Sequence, residues 1–213
     1  MVIQAAFFTG VTKSLISVTL FELGDKTFLI GALLATKHPR RWVFVGAMAA
    51  LIVMTILSVL FGQAALLLPE RWVKIAEITL FAAFGLKLLY DAWRMSPQVG
   101  CSDELEAAEE AIAAAEAQRS YLTPWAVMLE ACSLVFVAEW GDRTQFTTIA
   151  LAADYPGLSV VLGGSLGHGI CAALAVMGGR WICSRISERL LTALGGILFL
   201  SFAAIAGQSL QVQ

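Results

Sequence analysis

The chain has 213 residues, of which 59% are hydrophobic and 14% charged, with a mean hydropathy of +0.79 and a formal net charge of −2. Soluble domains carry about 25% charged residues, so this composition points to a membrane protein. The acidic balance excludes nucleic acid as a partner, since the one basic cluster, Lys37-His38-Pro39-Arg40-Arg41, reads as a topology signal.

A bilayer crossing takes about 20 mostly apolar residues. Six such segments run along the chain, near 14–36, 42–68, 72–93, 124–153, 157–180 and 190–210. The N-terminus has no basic n-region and no A-x-A site, so a removable signal peptide is not expected. Between the third and fourth spans the composition changes. Residues 96–122 hold Asp103, Glu104, Glu106, Glu109, Glu110 and Glu116 against Arg119. This acidic Ala/Glu run is expected to be a solvated helix or a disordered loop. The chain thus divides into 1–95, a linker at 96–122, and 123–213, and the expected fold class is an all-α membrane protein. Of the four cysteines, Cys132, Cys171 and Cys183 lie in apolar segments as packing residues and Cys101 in the linker. Neither disulfides nor a Cys/His metal site is implied.

Glu22-Leu23-Gly24-Asp25-Lys26-Thr27 in the first span recurs as Glu139-Trp140-Gly141-Asp142-Arg143-Thr144 in the fourth. An acid at the centre of a membrane helix costs about 2.5–3.5 kcal/mol on insertion scales, so four acids at two matched positions require a reason. At the same offset Pro39 matches Pro156 and Gly46 matches Gly163. After a one-residue shift, Leu80-Phe81 and Phe84 match Leu198-Phe199 and Phe202. The chain therefore reads as two copies of a three-helix unit. An odd number of spans per unit makes the copies inverted, with a site at the midplane between them. Lys and Arg favour the odd loops: Lys37, Arg40, Arg41, Arg94, Arg119, Arg180, Arg185 and Arg189, against Arg71 and Lys74 in the even loops. The odd loops and the linker are expected in the cytoplasm and both termini outside it.

Glu22 and Asp25, like Glu139 and Asp142, are three residues apart, which on a continuous helix puts each pair on one face. Gly24 and Gly141 allow close backbone approach or a local unwinding that frees carbonyls for an ion. Thr27 and Thr144 add hydroxyls. Lys26 and Arg143 pair with an acid or snorkel. Four carboxylates and two bases sum to −2, which one divalent cation or two protons would neutralise. Oxygen donors without His or Cys suit Mg²⁺, Ca²⁺ or Mn²⁺. Mg²⁺ sheds its water reluctantly, which leaves Ca²⁺ and Mn²⁺. The competing reading makes these acids ion pairs that only hold the two copies together.

The paired E-x-G-D-[KR]-[ST] motif, in spans one and four of six, resembles the signature of the second calcium:cation antiporter family. Its members include Golgi Mn²⁺/Ca²⁺ transporters and bacterial manganese exporters. The resemblance covers essentially the whole chain. It implies that Glu22, Asp25, Glu139 and Asp142 bind the ion in alternating access. The expected activity is export of a divalent cation, Mn²⁺ before Ca²⁺, in exchange for H⁺ or, alternatively, Na⁺. The metal is substrate, and no cofactor is expected. The short linker and the lack of an extra N-terminal span point to the cell membrane, with the lipid bilayer, the cation and the counter-ion as partners.

Four further polar residues are candidates for lesser roles. Gln145 follows the second motif, where its counterpart is Phe28, so it would line the site asymmetrically. Glu77, Glu130 and His168 are candidates for a proton path. Against this, Glu77 and Glu130 also read as interfacial acids and His168 as a packed histidine. Two other function classes fit some of the residues. A cation channel would use the same carboxylates. An intramembrane serine hydrolase would use Ser165, because Gly163-Gly164-Ser165-Leu166-Gly167 matches G-x-S-x-G and His168 follows. That motif needs a strand–turn–helix setting, whereas the same glycines satisfy small-xxx-small helix packing.

Overall fold

The computed structural model describes residues 2–95, 102–116, 123–183, 185 and 187–211. Nine α-helices carry these residues: α1 Val2–Glu22, α2 Lys26–Lys37, α3 Arg40–Ala65, α4 Glu70–Arg94, α5 Ser102–Glu116, α6 Pro124–Glu139, α7 Arg143–Asp154, α8 Gly157–Cys183 and α9 Glu188–Gln211. The fold class is all-α, as the composition implied. Three stretches, Arg40–Ala65, Gly157–Gly178 and Arg189–Gln208, are each long and apolar enough to cross a membrane. The segments expected as spans one and four are not single helices. Each breaks at its motif, into α1 and α2 and into α6 and α7. The third expected span, α4, carries Lys74, Glu77, Lys87 and Asp91 along its length.

The cause of the breaks is local. Gly24 and Gly141 hold φ of +84° and +81°, and among the described residues no other backbone is left-handed. Side chains with a Cβ avoid that region, and glycine enters it freely. Asp25 and Asp142 then take extended conformations as the N-caps of α2 and α7. The next boundaries also match. Pro39 caps α3 and Pro156 directly precedes α8, where a missing N–H costs nothing.

Packing crosses between the two halves of the chain. α8 lies against α1 and α2, α3 lies against α6 and α7, and α4 pairs with α9. The contacts are reciprocal. A Cβ on Gly46 would stand 2.2 Å from the Met128 carbonyl oxygen, and one on Gly163 would stand 2.3 Å from that of Val11. Val11 and Met128 are separated by the same offset as the motifs. Gly163, expected in a small-residue face, and its counterpart Gly46 therefore both meet backbone, as close helix approach requires. Between α4 and α9, the matched residues Phe81 and Phe199 touch each other with ring centroids 5.6 Å apart.

α5 corrects the reading of the linker. Of the two alternatives it is the helix and not the disordered loop, but it is solvated on one face only: it docks on α2 and buries Ala108 and Ile112 in the core with Leu29 and Leu33. Leu105, Ala108 and Ile112 form an apolar stripe at helical spacing, hidden in a strongly acidic composition. Glu106, Glu109 and Glu110 stay exposed. Cys101 and Arg119 lie outside the described residues. Cys132 and Cys171 are free, and Cys171 is fully buried, as expected of a packing residue.

The outer surface is apolar. Val53, Phe61, Leu166 and Met177 are exposed, and Trp72, Trp93, Trp125 and Trp181 are exposed near helix ends, where membrane interfaces favour tryptophan. The glycine faces yield a stability test. Gly46→Val and Gly163→Val should each cost about 1–3 kcal/mol by overpacking. Gly169→Ala, whose Cβ would meet only Met48, with Cε at 3.7 Å, should cost nothing measurable. Thermal unfolding in detergent checks the three together.

Candidate cation site

Each helix break presents a carboxylate at either edge. Glu22 ends α1 and Glu139 ends α6. The Asp25 N–H donates to the Glu22 carbonyl at 3.2 Å and the Asp142 N–H to the Glu139 carbonyl at 3.1 Å, so the two turns are equivalent. The first threonine of the next helix reaches back over the gap. The Thr27 hydroxyl donates to Glu22 Oε1 at 2.7 Å, and the Thr144 hydroxyl to Glu139 Oε2 at 2.9 Å. Glu22 and Asp25 therefore do not share a helix face by i, i+3 spacing. The break replaces that geometry with a turn, and the alternative of local unwinding is the one the chain adopts.

The breaks bring three of the four motif acids together. Asp25, Glu139 and Asp142 each offer an oxygen, and these oxygens lie within 4.8 Å of one another. Glu139 is 2% exposed, and its Oε1 has no hydrogen-bond partner among the described residues. An unpaired acid oxygen buried beside two more acids is costly unless a cation or protons neutralise the group. Asp25, Glu139 and Asp142 fit a hard divalent cation by donor type. Glu22 lies at the margin, with one oxygen on Thr27 and the other 3.3 Å from His168 Nδ1. His168 is thus a buried neighbour of a motif acid.

The two motifs are not equivalent in their side-chain contacts. Arg143 Nη2 donates to Asp25 Oδ1 at 2.9 Å, bridging the halves, whereas Asp142 Oδ2 accepts from the backbone N–H and hydroxyl of Thr144 at 3.3 and 3.2 Å. Arg143 is therefore the base that pairs with an acid. Lys26 lines the adjoining cavity. Gln145 Oε1 accepts from the Gly141 N–H at 2.8 Å and holds the second break, an asymmetric role that Phe28 cannot copy.

Gly24, Asp25, Lys26, Gly141, Asp142 and Arg143 form one wall of a cavity of about 380 Å³. Lys87 and Asp91 of α4 and Thr192 of α9 form the other. Lys87 and Asp91 are site residues that the sequence reading missed. Their signal was present: two charges four residues apart inside an apolar segment. Two other sequence candidates lie apart from this cavity. Glu77 pairs with Lys74 at 2.9 Å. Glu130 is 2% exposed on α6 with neither carboxylate oxygen hydrogen-bonded among the described residues, so it is a core acid and not an interfacial one. Ser165 sits within helix α8, without the strand and turn a nucleophile elbow needs.

Comparison with known sequences decides the family. The profile of the family described as divalent cation/proton antiporter GDT1 matches residues 10–96 and 127–210. The chain belongs to this family. It is 49% identical to the GDT1-like protein sll0615 of Synechocystis over 93% of this chain and 96% of that protein. It is 40% identical to GDT1-like protein 3 of rice over 92% of this chain and 72% of that one. It is 38% identical to a chloroplastic PAM71-homolog of Arabidopsis over 95% of this chain and 60% of that protein. No solved structure matches. The resemblance drawn from the paired motif thus holds at the level of the family, which is one of cation transporters.

The glycine breaks can be tested directly. A Cβ on Gly141 would meet nothing within 4 Å, so Gly141→Ala is penalised by backbone conformation alone. The expected cost is about 1–2 kcal/mol. A matching fall in thermal stability, with the protein still folded, checks it.

Proposed function

We propose that the chain is a six-span inverted-repeat antiporter that exports Mn²⁺, with Ca²⁺ the alternative cargo, in exchange for H⁺. The observation that carries this reading is the convergence of Asp25, Glu139 and Asp142 at two glycine breaks, in a member of a divalent cation/proton antiporter family. Discontinuous helices at a repeat interface are where secondary transporters place their ions. The reciprocal glycine contacts and the Phe81–Phe199 pair support inverted repeats, because matched residues exchange equivalent partners. The exposed apolar belt and end tryptophans support six membrane crossings, with α1–α2 and α6–α7 each serving as one broken span.

The clustered carboxylates suit Mn²⁺ and Ca²⁺ alike by donor type, and Mn²⁺ is placed first because the paired motif resembles that of bacterial manganese exporters. When the cation leaves, the same acids take up protons, since close carboxylates cannot all remain ionised unpaired. Arg143 on Asp25 compensates one negative charge throughout. His168 beside Glu22 offers the proton a relay out of the cluster, and buried Glu130 is a second candidate.

The Lys/Arg bias assigns the odd loops to the cytoplasm of a cell-membrane protein with both termini outside. The motif cavity lies at the α4 C-terminus and α9 N-terminus, the end this assignment puts in the cytoplasm, which supports reading the conformation as inward-facing.

Flux in proteoliposomes tests the activity. Wild-type protein should move Mn²⁺ faster than Mg²⁺, driven by a pH gradient. Asp142→Asn, which keeps shape and removes an anionic ligand, should lower the rate at least tenfold at equal protein abundance. Normal flux in that variant would exclude the shared carboxylate site, and unitary currents would favour a channel. Orientation has its own check. A cysteine placed at exposed Glu109, in a background without native cysteines, should resist an impermeant maleimide in intact cells and react in inverted vesicles.

A further inference from the structure

The motif cavity has a counterpart at the other end of the same helix pair. A second cavity, of about 270 Å³, is lined by Lys13, Lys74, Glu77, Asp154, Tyr155 and Ala206. On α4, Glu77 lies fourteen residues before Asp91 of the motif cavity, about 21 Å along the axis. The second cavity touches none of the motif carboxylates.

Phenylalanine rings separate the two. Phe21 and Phe84 face the motif cavity, while Phe81 and Phe202 face the other. Phe199 joins them, with ring centroids 4.6 Å from Phe21, 5.6 Å from Phe81 and 5.8 Å from Phe84. Phe81 and Phe199 are fully buried. Rings in contact at these distances form an apolar layer that offers a hydrated ion no polar group.

Beyond the rings lies a charged tie. Lys74 Nζ donates to Glu77 Oε2 at 2.9 Å and also to Asp154, the last residue of α7. Next to it, Lys13 Nζ of α1 donates to the Tyr155 hydroxyl at 2.7 Å. Asp142 caps the N-terminus of α7 and Asp154 closes its C-terminus. The tie to α4 therefore fixes the far end of the helix that carries a motif acid. Lys74 is only 14% exposed in its side chain, so its release leaves charges poorly solvated unless the cavity opens to water.

We propose that the Phe199 ring stack and the Lys74 tie to Asp154 and Glu77 form the closed gate of the transport path on the side away from the motif cavity, and that each transport cycle breaks the Lys74–Asp154 pair. This rests on the antiporter reading, since a gate needs a path.

Thiol accessibility tests the gate without needing flux. Thr192→Cys reports on the motif cavity and Ala206→Cys on the second one, each in full-length protein lacking native cysteines, in lipid vesicles, with a small charged methanethiosulfonate. Lys74→Ala should raise the reaction rate at position 206 at least threefold and lower the rate at 192. The exchanged pair Lys74→Asp with Asp154→Lys should return both rates toward the parent values. Opposed changes mark a shift between states, whereas simple loosening would raise both rates together. Unchanged rates, rates that rise together, or an exchanged pair that behaves like Lys74→Ala would overturn the gate. If Lys74→Ala fails to accumulate, Asp154→Asn replaces it in the same assay, with the same rate changes expected and the same results overturning the gate. The outcome is separable from the activity: normal flux in Asp142→Asn would refute the cation site whatever the labelling shows, and unchanged labelling would refute the gate whatever the flux.

Discussion

Two backbone torsions organise this molecule. Gly24 and Gly141 turn left-handed, and each stops a helix inside an apolar segment. Everything polar at the site follows. A continuous helix satisfies its own N–H and carbonyl groups, and it would have carried Glu22 and Asp25 as two protruding charges. The break instead ends one helix at a glutamate and begins the next at an aspartate. The threonine of the new helix then ties the glutamate down. Placing both breaks where α3 and α8 press against the opposite half brings Asp25, Glu139 and Asp142 within reach of one ion.

The arrangement is costly in isolation and economical in sum. Glycine is a poor helix residue, and buried acids raise the free energy of the folded state. Glycines on α3 and α8 let those helices touch facing backbones, so the closest packing and the polar cluster stand side by side. Arg143 adds an asymmetry. It commits a guanidinium to Asp25 of the other half, while Lys26, its sequence counterpart, lies along the cavity wall. Equivalent sequence thus yields inequivalent sites. The difference follows from the donor: a planar, multiply donating guanidinium holds a carboxylate at fixed geometry better than a single ammonium does.

Much of this was legible in the sequence, and the rest was not for definable reasons. The doubled motif, its offset and the matching prolines were readable because duplication leaves identical residues at identical spacing. The helix breaks were readable only as an option, since Gly inside a helical pattern is compatible with either packing or unwinding. The docked face of α5 was missed because six acids outweigh a stripe of Leu105, Ala108 and Ile112 in any composition count. Lys87 and Asp91 were obscured because the apolar residues around them dominate the character of the third segment. The Arg143–Asp25 contact spans 118 positions, from one motif to the other. No local pattern encodes which of two basic residues will reach which of two acids.

The reciprocal packing of α3 and α8 has a consequence for how such a chain comes to be. Each half lends its middle helix to the other and keeps little core for itself. The glycine face of either half is therefore covered only when both halves are present. These contacts join residues far apart in sequence, 82 positions for Gly46 and Met128 and 152 for Val11 and Gly163, so closing them carries a large entropic cost. Mutations at Gly46 and Met128, or at Gly163 and Val11, accordingly fall on one joint surface.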